Sequence, residues 1–151
     1  DPAHLHRLIP DPPAAAVVRE IYQLYLDGFS LSKIASLLTK KQVMPPCFYK
    51  IQHGILFQTP FSKNKITDEA DGKIPKWSAS SVRHILTNPV YTGTLIQGTT
   101  KKESAKSKKR IRLSSTEWII YPNAHPALIS EDMFCEVSSL LQKRRKKNKK
   151  V

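Results

Sequence analysis

The residues best suited to molecular recognition lie in one short polar stripe near the middle of the chain. The stripe comprises Ser80, Arg83, His84 and Thr87. Their spacing places them along one side of a helix, where they present a guanidinium, an imidazole and two hydroxyls. Such a face, which contains no carboxylate, is suited to entering the major groove of DNA. A solvated helix face is the more common meaning of such a stripe taken alone, so the charge and order of the surrounding elements matter.

The elements that would position this stripe are signalled on both sides of it. Ser78 can cap a helix by accepting a hydrogen bond from its first free backbone N–H groups. Asn88 ends the helix, because a residue before proline is pushed out of the α region. The apolar residues between these limits share the opposite side: Ala79, Val82, Ile85 and Leu86. The pattern predicts an amphipathic helix with one buried face.

The positive charge of the chain is concentrated in two segments. Residues 101–112 hold seven Lys or Arg and one acid, and residues 143–150 hold seven Lys or Arg and no acid. These two segments account for the whole formal net charge of +13, since the remaining 11 basic and 11 acidic residues cancel. Concentrated cations attract polyanions with a strong dependence on salt. The charge pattern therefore favours a nucleic-acid partner, although basic tails also occur in many other proteins.

Length and composition indicate one ordinary folded domain or two very small ones. The chain has 151 residues, and 40% of them are hydrophobic, which is compatible with a real core. The sequence contains no long apolar run, so no membrane span is predicted. The polar N-terminus does not resemble a signal peptide, and its start at Asp1 suggests a fragment of a longer protein.

The reactive side chains form no recognisable catalytic or metal constellation. Cys47 and Cys135 are too far apart in sequence for a C-x-x-C site. The acidic residues within 68–71 lack EF-hand spacing, and a solvated turn is the more common role for such a group. Ser81 and His84, as helical neighbours without an orienting acid, make a poor nucleophile and base. The sequence predicts no catalytic, metal or cofactor site in this chain.

The N-terminal third predicts a pair of helices. Asp11-Pro12 is a typical helix start, and Gly28 is a typical residue after a helix end. Ser30 can then cap a second helix, which residues 40–43 end and Pro45-Pro46 cannot continue. The inner face of this helix is predicted to comprise Leu31, Ile34, Ala35 and Leu38. The short connection gives the pair helix-turn-helix proportions, although any helical hairpin would have the same pattern.

The rest of the chain predicts a small sheet and a final helix. Residues 47–76 are expected to be a loop-rich insertion, with a short strand or hairpin near 55–58 as one alternative. Residues 90–97 and 118–121 predict two strands that pair antiparallel, with the basic segment 99–112 between them as a long loop or flexible finger that is mobile until a polyanion neutralises it. Ser130 begins a helix that carries two acids in its first turn. Residues 143–151 are expected to form a basic tail or a linker to a further domain.

Three blocks of the sequence together resemble the "recombinase" DNA-binding domain of the large serine recombinases. The blocks are residues 11–38, residues 77–93 with the sequence W-S-A-S-S-V-R-H-I-L-T-N-P-V-Y-T-G, and residues 117–137. In that family a separate N-terminal domain carries the catalytic serine, and a zinc-ribbon domain follows. The resemblance therefore implies a non-catalytic module that binds one half of a recombination site, with the helix after Ser78 in the major groove. The stretch between Pro46 and Trp77 is longer than is typical of the family.

These observations predict an α+β domain over residues 1–142 that binds duplex DNA sequence-specifically. The predicted DNA contacts are Ser78, Ser80, Ser81, Arg83, His84 and Thr87 on the central helix, Lys33, Lys40 and Lys41 on the helical pair, and Lys101, Lys102, Lys106, Lys108, Lys109, Arg110 and Arg112 on the basic loop. Other recombinase subunits would be further partners of the intact protein. The resemblance implies a bacterial or phage-encoded protein that works in the cytoplasm. An RNA-binding module and a protein-interaction module with basic tails remain the alternatives.

Overall fold

The computed structural model describes residues 8–54, 76–104, 107 and 109–148. Five α-helices are present in this part of the chain: α1 (Pro12–Leu26), α2 (Leu31–Lys40), α3 (Pro46–Gln52), α4 (Ala79–Leu86) and α5 (Glu131–Asn148). Four short strands accompany them: β1 (Leu95–Gln97), β2 (Thr100–Lys102), β3 (Arg110–Arg112) and β4 (Ile119–Tyr121). The predicted α+β class, with a small antiparallel sheet region and a C-terminal helix, is confirmed.

The chain divides into two compact units. One unit, here called the helical unit, is Ile21–Leu86; the other, here called the mixed unit, combines Asp1–Glu20 with Thr87–Val151. None of the helices in the described ranges combines the length and apolar character that a membrane crossing needs.

Helix α1 ends as its sequence predicts, in a Schellman motif. Gly28 has a φ of +95°, a left-handed conformation that glycine adopts without steric cost. The Gly28 N–H donates to the Tyr25 carbonyl at 3.2 Å, and the Phe29 N–H donates to the Leu24 carbonyl at 3.1 Å. These two bonds satisfy carbonyls that the helix itself leaves without partners. The chain therefore turns within four residues and enters α2.

Helix α2 has both of its ends capped. The Ser30 hydroxyl accepts a hydrogen bond from the Lys33 N–H at 3.2 Å, as predicted. At the other end Gln42 takes a φ of +58°, and its N–H donates to the Thr39 carbonyl at 3.0 Å. The Val43 N–H donates to the Leu38 carbonyl at 3.0 Å. This is a second Schellman motif, built without glycine, and the sequence pattern did not reveal it.

Residues 46–52 correct the expectation that a loop begins at residue 47. They form helix α3, which has Pro46 at its first position, where the missing N–H of proline costs no hydrogen bond. The two prolines that end the preceding helix therefore also start a new one. The remainder of the predicted insertion, including the alternative strand at 55–58, falls in residues 55–75, outside the described residues.

The core of the helical unit is made by α2, α4 and the part of α1 that belongs to it. Its fully buried side chains include Tyr22, Tyr25, Ile34, Leu38, Val82 and Leu86. Each side chain falls on the apolar stripe of its helix, so burial follows the helical period. The residues predicted for the inner faces of α2 and α4 are thereby confirmed, with Ala79 and Leu31 only half-buried.

In the mixed unit, the predicted strand at 90–97 is only partly correct. Residues Pro89–Thr92 form a 3-10 helix, in which the Asn88 side chain accepts a hydrogen bond from the Val90 N–H at 3.1 Å. Proline fixes the helical φ at the first position, and this local signal prevails over the β-propensity of Val90 and Tyr91. Gly93, with a φ of +84°, ends the turn, and only Leu95–Gln97 remain as strand β1.

Strand β1 pairs antiparallel with β4, as predicted, with Ile96 opposite Ile120. Trp118, predicted to begin β4, instead follows a second 3-10 helix at Ser115–Glu117, whose capping box at Ser114 explains the turn. All three residues of β4 are about half exposed, at 50–52%. The β1–β4 pair is thus a thin sheet with little buried apolar surface.

A loop after β4 holds the first 3-10 helix in place. The N–H groups of Leu128 and Ile129 both donate to the Tyr91 carbonyl, at 2.8 and 3.0 Å. His125 Nε2 donates to the Val90 carbonyl at 2.6 Å. A Cβ on Gly93 would lie 2.8 Å from the His125 carbonyl oxygen, so only glycine allows this close approach. Burial raises the pKa of the Tyr91 hydroxyl above its ordinary value.

Part of the basic segment, which was expected to be a long loop or flexible finger, forms paired strands. Strands β2 and β3 pair antiparallel, and together they form a two-stranded ribbon here called the basic ribbon. The Glu103 N–H donates to the Lys109 carbonyl at 3.1 Å, which extends the pairing beyond the strands. An ion pair between Glu103 and Lys109 at 3.1 Å helps to offset the repulsion among the cations.

Helix α5 starts at the predicted cap but extends into the segment that was predicted to be a tail. The Ser130 hydroxyl accepts from the Met133 N–H at 3.3 Å, which confirms the predicted cap. Val137 and Leu141 are buried residues of this helix. The helix then extends to Asn148, so most of the predicted tail at 143–151 is helical. Lysine and arginine are good helix formers and favour the negative end of the helix dipole, which accounts for the extension.

Candidate nucleic-acid interface

Helix α4 presents the polar stripe to solvent. Ser80, Arg83, His84 and Thr87 are all exposed. On the opposite face Val82, Ile85 and Leu86 are buried, with exposed fractions of 0–7%. Because these three buried apolar side chains fix the rotation of the helix, Ser80, Arg83 and His84 keep a constant direction relative to the helical unit. The structure brings these three predicted residues together on one face of α4, whereas Thr87 follows the end of the helix and belongs to the mixed unit.

Ser78 and Ser81, predicted as DNA contacts, are engaged at the start of α4. The Ser78 hydroxyl accepts a hydrogen bond from the Ser81 N–H at 3.0 Å, and the two hydroxyl oxygens are 2.8 Å apart. This pair satisfies one of the backbone donors left open by the first turn. Its direct role is to start the helix that carries the polar stripe.

Two aromatic residues anchor both ends of α4. Before the helix, the Trp77 indole N–H donates to the Val43 carbonyl at 2.8 Å, and the Trp77 backbone N–H donates to the Thr39 hydroxyl at 3.0 Å. At its end, the Tyr22 hydroxyl lies 3.3 Å from the carbonyls of both Ile85 and Leu86. Buried hydrogen bonds of this kind are costly to break. The polar stripe is therefore carried by a rigid element.

The electrostatics of α4 suit contact with an anion. The helix carries no acidic residue in its first turn, and Arg83 and His84 lie in its last turn. Cations near a helix C-terminus are stabilised by the helix dipole, so their placement does not strain the fold. Sequence reasoning missed Lys76, which is exposed just before Trp77. It lines a shallow hollow together with Lys40 and residues of α2 and α4; its position next to an anchoring tryptophan was the available signal.

The lysines predicted on the helical pair are on the surface. Lys33, Lys40 and Lys41 are exposed, and Lys40 lies in the last turn of α2. Lysines on long flexible stems act as point charges toward phosphates and do not by themselves read bases.

The basic ribbon of the mixed unit carries the second set of predicted contacts. Lys101, Lys102, Lys109, Arg110 and Arg112 are all exposed. Arg112 lies over the Trp118 ring, with its guanidinium carbon 6.0 Å from the ring centroid. The Trp118 indole N–H in turn donates to the Leu113 carbonyl at 3.2 Å, which fixes the ring. Lys106 and Lys108 fall outside the described residues.

A third basic surface lies on α5. Lys143 and Arg145 are exposed, and Arg144 is half-buried. They follow directly after the buried stripe of the same helix, so this positive charge is attached to folded structure rather than to a free tail.

Comparisons with known proteins complete the description of the surface. The sequence model of the family described as "Recombinase" matches residues 12–144. A Bacillus subtilis (strain 168) protein described as "Uncharacterized protein YefB" is 38% identical over 72 residues. The match covers 48% of this chain and 24% of that relative, so the comparison spans about a quarter of the relative's length. No solved structure matches the chain.

Proposed function

Because this chain belongs to the Recombinase family of the serine recombinases, we propose that it binds duplex DNA sequence-specifically and recognises one half-site of a recombination target. The family assigns the chain to site-specific recombination. In this proposal the chain supplies binding, and a catalytic serine elsewhere in the parent recombinase cuts the DNA.

The observation that carries the proposal is the division of α4 into two faces. One face is buried among the core of the helical unit, and the other presents Ser80, Arg83 and His84 to solvent. A helix fits the major groove of B-DNA, where base pairs display distinct patterns of donors and acceptors. A rigid helix with an exposed set of donors is what direct readout requires.

Arg83 has the principal role in this proposal. Its planar guanidinium can donate two hydrogen bonds at once to the O6 and N7 acceptors of guanine. Ser80, His84 and Thr87 add contacts to neighbouring bases or phosphates. The lysines of α2 and the basic ribbon contact phosphates, which contribute affinity and orientation but little sequence information.

A protein-interaction role is the second candidate, and one feature of the structure favours it. Ile119, Ile120 and Tyr121 in β4 expose about half of their surface. A short apolar strand of this kind is commonly covered by a partner. This role is compatible with DNA binding in an intact recombinase that acts as several subunits.

Selection from random duplex DNA at near-physiological salt tests the proposed function. We expect recovery of a short, asymmetric motif, consistent with a half-site. A competition between the recovered duplex and single-stranded RNA would then distinguish an RNA-binding module, which prefers unpaired strands. Absence of any enriched motif, together with undiminished binding to single-stranded RNA, would contradict the proposal.

A further inference from the structure

The basic ribbon carries its charges unequally on its two faces. Side chains of a strand alternate between faces, and the register places Thr100 opposite Arg112 and Lys102 opposite Arg110. The face formed by Thr100, Lys102, Arg110 and Arg112 is here called the even face. It has three cations and no carboxylate.

The opposite face, here called the odd face, carries Lys101, Glu103, Lys109, Ile111 and Leu113. Part of its charge is neutralised within the protein. Lys109 forms an ion pair with Glu103 at 3.1 Å. Ile111 and Leu113 on the same face are half-buried, so part of this face is shielded from solvent. Only Lys101 adds a further charge there. The odd face is therefore an inner, partly neutralised surface.

The strand pairing places two positive charges of the even face directly opposite each other, where they repel. Hydrogen bonds join the pairs Glu103–Lys109 and Leu113–Thr99, at 3.1 and 3.0 Å. Since hydrogen-bonded and non-hydrogen-bonded pairs alternate along an antiparallel ribbon, Lys102 and Arg110 form a non-hydrogen-bonded pair. Side chains of such pairs approach most closely, and like charges directly opposite each other are destabilising. Neither side chain has a hydrogen bond or ion pair within the part of the chain that is described.

A fixed arginine extends this surface. Arg112 lies on the same face as Lys102 and Arg110, and Trp118 holds its guanidinium in position through a contact of 6.0 Å to the ring. An arginine stacked in this way loses less conformational freedom when it binds an anion. The even face thus combines an uncompensated pair of cations with a preorganised one.

We infer that the basic ribbon binds duplex DNA through its even face alone, with Lys102, Arg110 and Arg112 as the contacts and Lys101 and Lys109 facing away. A two-stranded ribbon is narrow enough to approach a DNA groove and contact the phosphates along it. This inference rests on the proposed function, because it assumes that the chain binds DNA. It goes further by dividing the predicted cations of one segment into contacts and non-contacts.

Two matched double variants of the full chain test the inference. Lys102→Gln with Arg110→Gln removes two cations from the even face, and Lys101→Gln with Lys109→Gln removes two from the odd face. Both variants lose the same net charge from the same ribbon, so long-range attraction falls equally. Binding to a short fluorescein-labelled mixed-sequence duplex is measured by fluorescence anisotropy between about 50 and 200 mM salt.

The even-face variant should lose two phosphate contacts. The slope of log K against log salt should then decrease in magnitude by about 1.8, and the affinity at low salt should fall by roughly tenfold or more. The odd-face variant should keep the slope of the unsubstituted chain. Circular dichroism spectra and melting temperatures of the two variants, which alter only exposed side chains, confirm that both remain folded.

Equal losses in the two variants, or a larger loss in the odd-face variant, would overturn the inference while leaving the proposed function intact. An unsubstituted chain that binds no duplex at low salt would overturn both. The two failures are therefore distinguishable in one set of titrations.

Discussion

Helix α4 and the basic ribbon present polar surfaces of opposite character. The helix has only two groups that can carry positive charge, Arg83 and His84, but its back is buried and both of its ends are held by buried hydrogen bonds. The ribbon has four exposed cations on strands of three residues each, with Lys109 just before β3, and little apolar surface supports it. Precise positioning suits the recognition of bases, whereas dense charge suits attraction to phosphates. In the proposed function, α4 would therefore supply specificity and the basic ribbon would supply affinity.

The largest difference between the two regions should appear in stability. Trp77→Ala removes a side chain that is 7% exposed, together with the indole hydrogen bond to the Val43 carbonyl at the start of α4. We expect a loss of about 3–5 kcal/mol in the free energy of unfolding. Trp118→Ala, which removes a half-exposed tryptophan beside the ribbon, should cost about half as much. Urea denaturation followed by circular dichroism measures the free energy of unfolding of both variants. Equal losses would contradict the prediction that α4 is more firmly packed than the ribbon.

Two glycines allow a matched test of packing in the two units. Gly93→Ala places a Cβ 2.8 Å from the His125 carbonyl oxygen at a φ of +84°. A left-handed alanine alone costs about 1–2 kcal/mol, and displacement of the carbonyl should raise the total above about 2 kcal/mol. Gly28→Ala meets no atom within 4 Å, so only the conformational cost of about 1–2 kcal/mol remains. Thermal unfolding measures the loss of stability in each variant. A smaller loss in Gly93→Ala than in Gly28→Ala would contradict this prediction.

The division of roles in DNA binding is tested at Arg83. Arg83→Ala should weaken binding to the selected duplex by about 1–3 kcal/mol and relax the preference at one base pair. Arg83→Lys keeps the charge but loses the two-pronged donor, so it should relax the same preference with less loss of non-specific affinity. The ribbon control, Arg110→Ala, should weaken binding to all sequences and reduce the salt slope by about 0.9. Gel-shift series on the selected and mutated duplexes measure these effects. If Arg83→Ala changed neither the affinity nor the base-pair preference, the assignment of Arg83 to base recognition would be wrong.

The smallest expected effect concerns the hydroxyl that holds the end of α4. Tyr22→Phe keeps the buried ring but removes the contacts to the Ile85 and Leu86 carbonyls at 3.3 Å. We expect a loss of about 0.5–1.5 kcal/mol in the free energy of unfolding. Tyr121→Phe, which changes an exposed tyrosine in β4, should be neutral. An unchanged stability in Tyr22→Phe, measured by chemical denaturation, would mean that packing alone secures the helix.

The sequence by itself determined the elements that depend on interactions between residues close together in the chain. The caps at Ser30, Ser78 and Ser130, the left-handed turn at Gly28 and the apolar stripes of α2 and α4 all follow from side-chain chemistry within a few residues. The same locality identified the exposed stripe of α4, because a helical period that buries one face necessarily exposes the other. The family resemblance was likewise legible from the order of these blocks, and the family match over residues 12–144 agrees with it.

Only the tertiary structure decided the arrangements that depend on pairing between distant residues. The 3-10 helix at Pro89–Thr92 starts from local signals, but the hydrogen bonds that hold it to the loop at residues 122–129 join residues more than thirty positions apart in sequence. The basic segment forms a ribbon because β2 and β3 share a register in which Glu103 meets Lys109. Charge density gives no indication of such a register, since hydrogen-bond pairing, rather than composition, sets which side chains share a face. For the same reason, composition alone could count the cations of the ribbon but could not separate its two faces.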